Sequence, residues 1–162
     1  MPMGQFQTIC RRDSAPPIRR IAYPIKFSSS SEHGLNWAVQ LAQDYQAELL
    51  LLHVLPRPTP IFEIESPMKS QAEFALSVLL SKLQSTDIKA RGFLLTGTNS
   101  VDCQIIRAAR LARVDIIVMG TRGRSGFYRL FAGSLASRLI ARAHCPVLVV
   151  PASRAELVSA PK

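Results

Sequence analysis

The residues with the most chemical potential lie between Val114 and Ser134, in the stretch VDIIVMGTRGRSGFYRLFAGS. An apolar run of β-formers ends at Met119. Gly120, Gly123 and Gly126 follow, with Arg122 and Arg124 among them, and Gly133-Ser134 then leads into a further apolar segment. Glycines admit positive φ and carry no Cβ to hold a ligand off the backbone. Their amides can line an anion-binding concavity. Ser134 adds a hydroxyl and the free amides of a first helical turn, where the macrodipole places about half a positive charge. That chemistry suits a phosphate. The same residues also describe an ordinary strand-to-helix loop with Ser134 as its cap, and on their own they leave both readings open. Neither G-x-x-x-x-G-K-[ST] nor G-x-G-x-x-G is present.

The remaining candidates read as structural. His53 lies inside an apolar run and is expected to be a satisfied, near-core histidine. His33, among serines, is expected to be solvated, and His144 closes the last turn of a helix. Trp37 is expected to pack. Asp115 is expected to pair locally, and Asp102 to complement the start of a helix. Arg107, Arg110 and Arg113 form a helical stripe that reads as a solvated face. No general base, metal cluster or nucleophilic triad accompanies the glycine loop, so the sequence predicts binding, with slow hydrolysis at most.

The elements that must position this loop alternate along the chain. Residues 19–27 form a strand candidate, and the serines at 28–31 can cap a helix running through Leu35, Ala38, Val39, Leu41, Ala42 and Tyr45. AELLLLHVL (47–55) is a continuous apolar run, as in a strand covered on both faces. Residues 56–67 hold four prolines and read as a loop. A helix over 70–83, a strand over 88–97 and a helix over 101–113 follow, the last with Ile105, Ile106, Ala109 and Leu111 expected inward. A strand over 114–120, a helix over 134–143 and a strand over 145–151 complete the pattern. Strictly alternating β and α with apolar strands predicts a three-layer α/β/α domain around a parallel sheet.

Composition sets the outer bounds. The 162 residues are 48% hydrophobic and 19% charged, as in a globular protein. No apolar run approaches the roughly 20 residues of a membrane helix, and residues 1–18 lack the apolar core of a secretory signal. The reading is cytoplasmic and free of membrane. Cys10, Cys103 and Cys145 have no metal-ligand spacing and are expected to be reduced, Cys145 as a small buried residue. The formal charge of +9 favours anionic partners. Its scatter, without aromatic interleaving, makes nucleic acid the weaker reading.

Gly120, Gly123, Gly133 and Ser134 match the G-2x-G-9x-G-[ST] motif of the universal stress protein family, spacing included. IAYPIKFSSSSEHGLNWAVQLA, AELLLLHVL, VDIIVMGTRGRSG and AHCPVLVV resemble its first strand and helix and its second, fourth and fifth strands. The resemblance implies an adenine nucleotide alpha hydrolase-like fold with strand order 3-2-1-4-5 over 19–151. Residues 1–18 would be a poorly ordered extension and 152–162 a tail. It further implies a homodimer, often paired through the fifth strand, binding ATP or another adenine nucleotide as a regulatory ligand in stress response. By the same carry-over, Pro24 closes the first strand and Val54 meets adenine through its backbone. Met119, Gly120 and Gly123 form the phosphate wall, and Gly133, Ser134 and Leu135 close it. One residue departs from the pattern. Lys26 stands where the family usually has an Asp that contacts the nucleoside or its metal. Two outcomes follow. Lys26 joins Arg122 and Arg124 on the phosphates, leaving Mg without its carboxylate, or the pocket is impaired and the protein is a nucleotide-free dimeric scaffold whose basic surface binds protein or nucleic-acid partners.

Overall fold

A computed structural model describes residues 17–27, 32–55, 67–120 and 135–151. The expected N-terminal extension (bar Pro17 and Ile18), the capping serines, the proline-rich loop up to residue 66 and the C-terminal tail lie outside the described residues. Among the described residues nine elements follow one another in strict alternation: β1 (Arg20–Pro24), α1 (Glu32–Tyr45), β2 (Glu48–Val54), α2 (Pro67–Gln84), β3 (Ala90–Leu95), α3 (Val101–Leu111), β4 (Ile116–Gly120), α4 (Leu135–Arg142) and β5 (Val147–Val150). All neighbouring strands are parallel, in the order β3-β2-β1-β4-β5. Helix α2 begins at Pro67, earlier than the predicted Ser70. Proline serves well in a first turn, where its missing N–H has no partner to lose.

Because side chains alternate across a strand, each strand feeds two cores. Ile21, Tyr23, Leu49, Leu51 and Val118 pack with Ala38 and Ala42 of α1 and Leu76 and Leu83 of α2. Ala22, Leu50, Leu52, Ile117 and Met119 pack with Ile105, Ile106 and Ala109 of α3 and Ala136 and Leu139 of α4. The sheet is thus covered on both faces, which explains why β2 reads as an unbroken apolar run.

Two inward assignments change. Leu111 is 76% exposed and Trp37 is half-exposed. In α3 the buried stripe is Asp102, Ile105, Ile106 and Ala109. That spacing (i, i+3, i+4, i+7) turns Leu111 to the opposite side of the helix.

The amino edge of the sheet is pinned by charge. Glu48 bridges Arg20 (3.4 Å) and Arg91. Asp115 accepts the backbone amides of Arg19 and Arg20, both at 2.8 Å, so it joins β1 to the entry of β4 instead of pairing locally. Among the described residues no helix is long and apolar enough to cross a membrane.

Candidate functional site

The strand order fixes where a ligand can sit. β1 has β2 on one side and β4 on the other, and the chain moves outward through β2 and β3 before returning to β4. The order therefore reverses between β1 and β4, and open α/β sheets bind ligands at the carboxyl ends of strands at such a point. Ala22 pairs with Ile117; two residues further along lie Pro24 and Met119, then Gly120. On the other side Pro24 pairs with Leu52, and Val54 lies two residues beyond. The structure thus brings Pro24, Val54, Met119 and Gly120 together at one edge of the sheet. Lys26 lies exposed just past β1, and Leu135 is the first residue of α4. Arg122, Gly123, Arg124, Gly133 and Ser134 lie outside the described residues.

A close helix–strand approach shapes the crevice. Gly34, in the first turn of α1, is buried against the end of β4. A Cβ there would stand 2.9 Å from the Cα and N of Gly120 and 2.9 Å from the Tyr23 hydroxyl. Only a glycine lets α1 start this near the strand end. At Gly120 itself an added Cβ would meet the Tyr23 hydroxyl at 3.5 Å and Gly34 at 3.7 Å, which is ordinary contact. The sequence signal for Gly34 was a lone glycine within a helical pattern.

On the β2 side, the half-buried His53 donates from Nδ1 to the Ile25 carbonyl at 2.9 Å. Phe27 lies against its ring with centroids 4.8 Å apart. This histidine is engaged in holding the chain as it leaves β1, and Ile25 itself donates to the Leu52 carbonyl at 2.9 Å. The segment that carries Lys26 is therefore held at two points.

On the α4 side, Asp102 is fully buried. Its Oδ1 accepts from Arg138 Nε at 3.0 Å and its Oδ2 from Arg142 at 2.8 Å. Burial alone would raise its carboxyl. Hydrogen bonds from Ser100, its own amide and Arg138, with the Arg138 charge, outweigh that and hold it below the ordinary 3.8. Arg138 and Arg142 are one helical turn apart, so a single carboxylate fixes α4 against the start of α3. In effect Asp102 places the helix on which the glycine loop must end. Its sequence signal was faint, an acid in a first turn and two arginines four apart on another helix.

His33, expected to be solvated, is half-buried beside Gly34 in the first turn of α1, and His144 is exposed. Burial raises the Cys145 thiol, with the Asp115 charge adding to it, and a thiol kept protonated is unreactive.

Comparisons with known proteins agree with this architecture. The sequence model of the universal stress protein family matches residues 17–151. A universal stress protein of Methanocaldococcus jannaschii is 30% identical over 146 residues, covering 85% of each chain. The universal stress protein structure from Archaeoglobus fulgidus superposes with a TM-score of 0.67 at 23% identity, over 82% of this chain and 98% of that one. A structure from the same organism in complex with dAMP gives 0.63 at 20% identity, over 82% and 97%. An Arabidopsis thaliana family member with AMP bound gives 0.60 at 17%, over 85% and 94%. The last three are likenesses of fold alone.

Proposed function

Because this chain belongs to the universal stress protein family, we propose that it binds an adenine nucleotide as a regulatory ligand at the carboxyl ends of β1 and β4. The observation that carries this reading is the glycine set. Gly120 ends β4 in close backbone approach to Gly34, with the Tyr23 hydroxyl beside both, and the sequence continues through Gly123 to Gly133-Ser134 at the spacing of the family's motif. Fold relatives solved with dAMP and AMP support the same ligand class.

In this reading Pro24 and Val54 border the base and ribose, and Met119 and Gly120 begin the phosphate wall. Gly123, Gly133, Ser134 and Leu135 complete it through backbone amides and the Ser134 hydroxyl. Lys26, Arg122 and Arg124 supply the positive charge. A cation at position 26 stands where a bound divalent ion would need a carboxylate, so binding is independent of Mg. The ligand is sensed and not turned over in this reading: among the described residues His53 is engaged with the Ile25 carbonyl, and the sequence 121–134 contains no Asp, Glu or His to activate water. The protein acts in the cytoplasm as a homodimer. β5, a four-residue edge strand with half-buried Val147, Leu148 and Val149, supports that pairing.

Lys26 also favours a second reading, a nucleotide-free dimeric scaffold. Titration calorimetry with ATP, ADP and AMP in EDTA separates the two. Saturable heat that disappears in Gly133→Val supports the first; no heat and no thermal shift at millimolar nucleotide leaves the second.

A further inference from the structure

The two helical layers differ in charge. Helices α3 and α4, with the turn after α3, carry Arg107, Arg110, Arg113, Arg138 and Arg142 against the single carboxylate of Asp102. On the other layer, α1 and α2 carry Glu32, Asp44 and Glu73 against Lys69 and Lys82. Arg138 and Arg142 are committed to Asp102. Arg107, Arg110 and Arg113 are exposed, and among the described residues none of them has an ionic partner.

Leu111 stands among these three arginines, 76% exposed. Arg107 and Leu111 are one turn apart on the ridge directly opposite the buried stripe, and Arg110 flanks them. A lone exposed leucine needs no explanation. A leucine one turn from Arg107, flanked by Arg110 and followed by Arg113 just past the helix end, none of the three ion-paired among the described residues, is a combination with a definite complement.

We propose that the outer ridge of α3 docks an acidic, amphipathic segment of another protein, with carboxylates set around an apolar residue that covers Leu111. Guanidinium groups donate charge-assisted hydrogen bonds to carboxylates, as Arg138 and Arg142 each do to one oxygen of Asp102. Most of the chain does not supply this partner: residues 1–16, 121–134 and 152–162 each carry more Arg and Lys than Asp and Glu, and 56–66, with Glu63 and Glu65 against its own Arg57, holds too few carboxylates for three guanidiniums. The α1/α2 layer of a second copy offers a surplus of only one carboxylate. A nucleic acid would set Leu111 against phosphates, and no aromatic residue on α3 is present to stack on bases. For a bilayer, one leucine without aromatic neighbours is too little apolar surface to seat the helix.

The test uses the full chain and a fluorescent synthetic helical peptide with a leucine stripe flanked by glutamates, followed by anisotropy at low and physiological salt. The proposal expects saturable binding that weakens with salt. Arg107→Glu with Arg110→Glu should cost about tenfold or more in affinity, and Leu111→Ser several-fold. Lys69→Glu with Lys82→Glu, on the other layer, should change nothing. All the altered side chains are exposed, and circular dichroism verifies that each variant is folded. Absence of peptide binding overturns the proposal. So does binding indifferent to the α3 reversals, an equal loss from the lysine pair, or tighter binding to duplex DNA or phosphatidylserine vesicles than to the peptide. Adding nucleotide is not required, so this result stands apart from the fate of the glycine site.

Discussion

Gly34→Ala tests how tightly the crevice is built. The new Cβ would lie 2.9 Å from two backbone atoms of Gly120 and 2.9 Å from the hydroxyl of Tyr23, whose side chain is 1% exposed. None of the three obstacles can rotate away, so α1 or the end of β4 must move. Helix propensity favours alanine over glycine by about 1 kcal/mol in a helix interior and by less in a first turn. Overpacking of this kind costs about 1–3 kcal/mol. The net expectation is a loss of about 1–2 kcal/mol, a fall in Tm of roughly 3–8 °C for a domain of this size. Urea unfolding followed by circular dichroism gives the number. Gly120→Ala is the matched control: its Cβ would make ordinary contacts at 3.5 and 3.7 Å, and stability should stay within about 0.5 kcal/mol. A Gly34→Ala protein as stable as the parent, or more so, would refute the claim that α1 is held against β4 by backbone contact.

Three further outcomes are expected. Asp102→Asn should lose about 1–3 kcal/mol at neutral pH, toward the lower end because Arg138 and Arg142 are 45% and 54% exposed and can rehydrate. Since the folded Asp102 titrates below 3.8, its contribution is complete above that value and is lost as pH falls through the folded pKa. The gap to the parent should therefore hold from neutrality to about pH 5 and narrow in acid, and a gap unchanged down to about pH 2 would contradict the assignment. Lys26→Asp should weaken nucleotide binding in EDTA and make it respond to Mg; identical isotherms with and without Mg, at parental affinity, would remove Lys26 from the site. Gly133→Val should abolish nucleotide binding without lowering affinity for the acidic peptide, and a joint loss would mean that the two surfaces are not separate.

Most of the fold was legible because burial on both sides of a parallel sheet writes long apolar runs into β2 and β4, and because each helix keeps its 3.6-residue period. Leu111 and Trp37 were misplaced for a shared reason. Counting apolar residues along a helix does not reveal which of them fall off the stripe, and a surface leucine carries no local mark. At the site, Pro24, Val54, Met119 and Gly120 were legible through the motif and the ends of apolar runs. Gly34, Tyr23 and the Asp102–Arg138–Arg142 cluster were not, since each depends on a contact between elements distant in sequence. Such contacts come from the strand order, which periodicity does not encode. The resemblance to a family provided that order, and the sheet has it.

Native mass spectrometry of the freshly purified protein, with no nucleotide added, tests the central claim most directly. The account predicts a bound mass matching an adenine nucleotide, displaced by added ADP, retained in EDTA and missing from Gly133→Val. A bare protein mass that stays bare after incubation with millimolar ATP, ADP and AMP would contradict it.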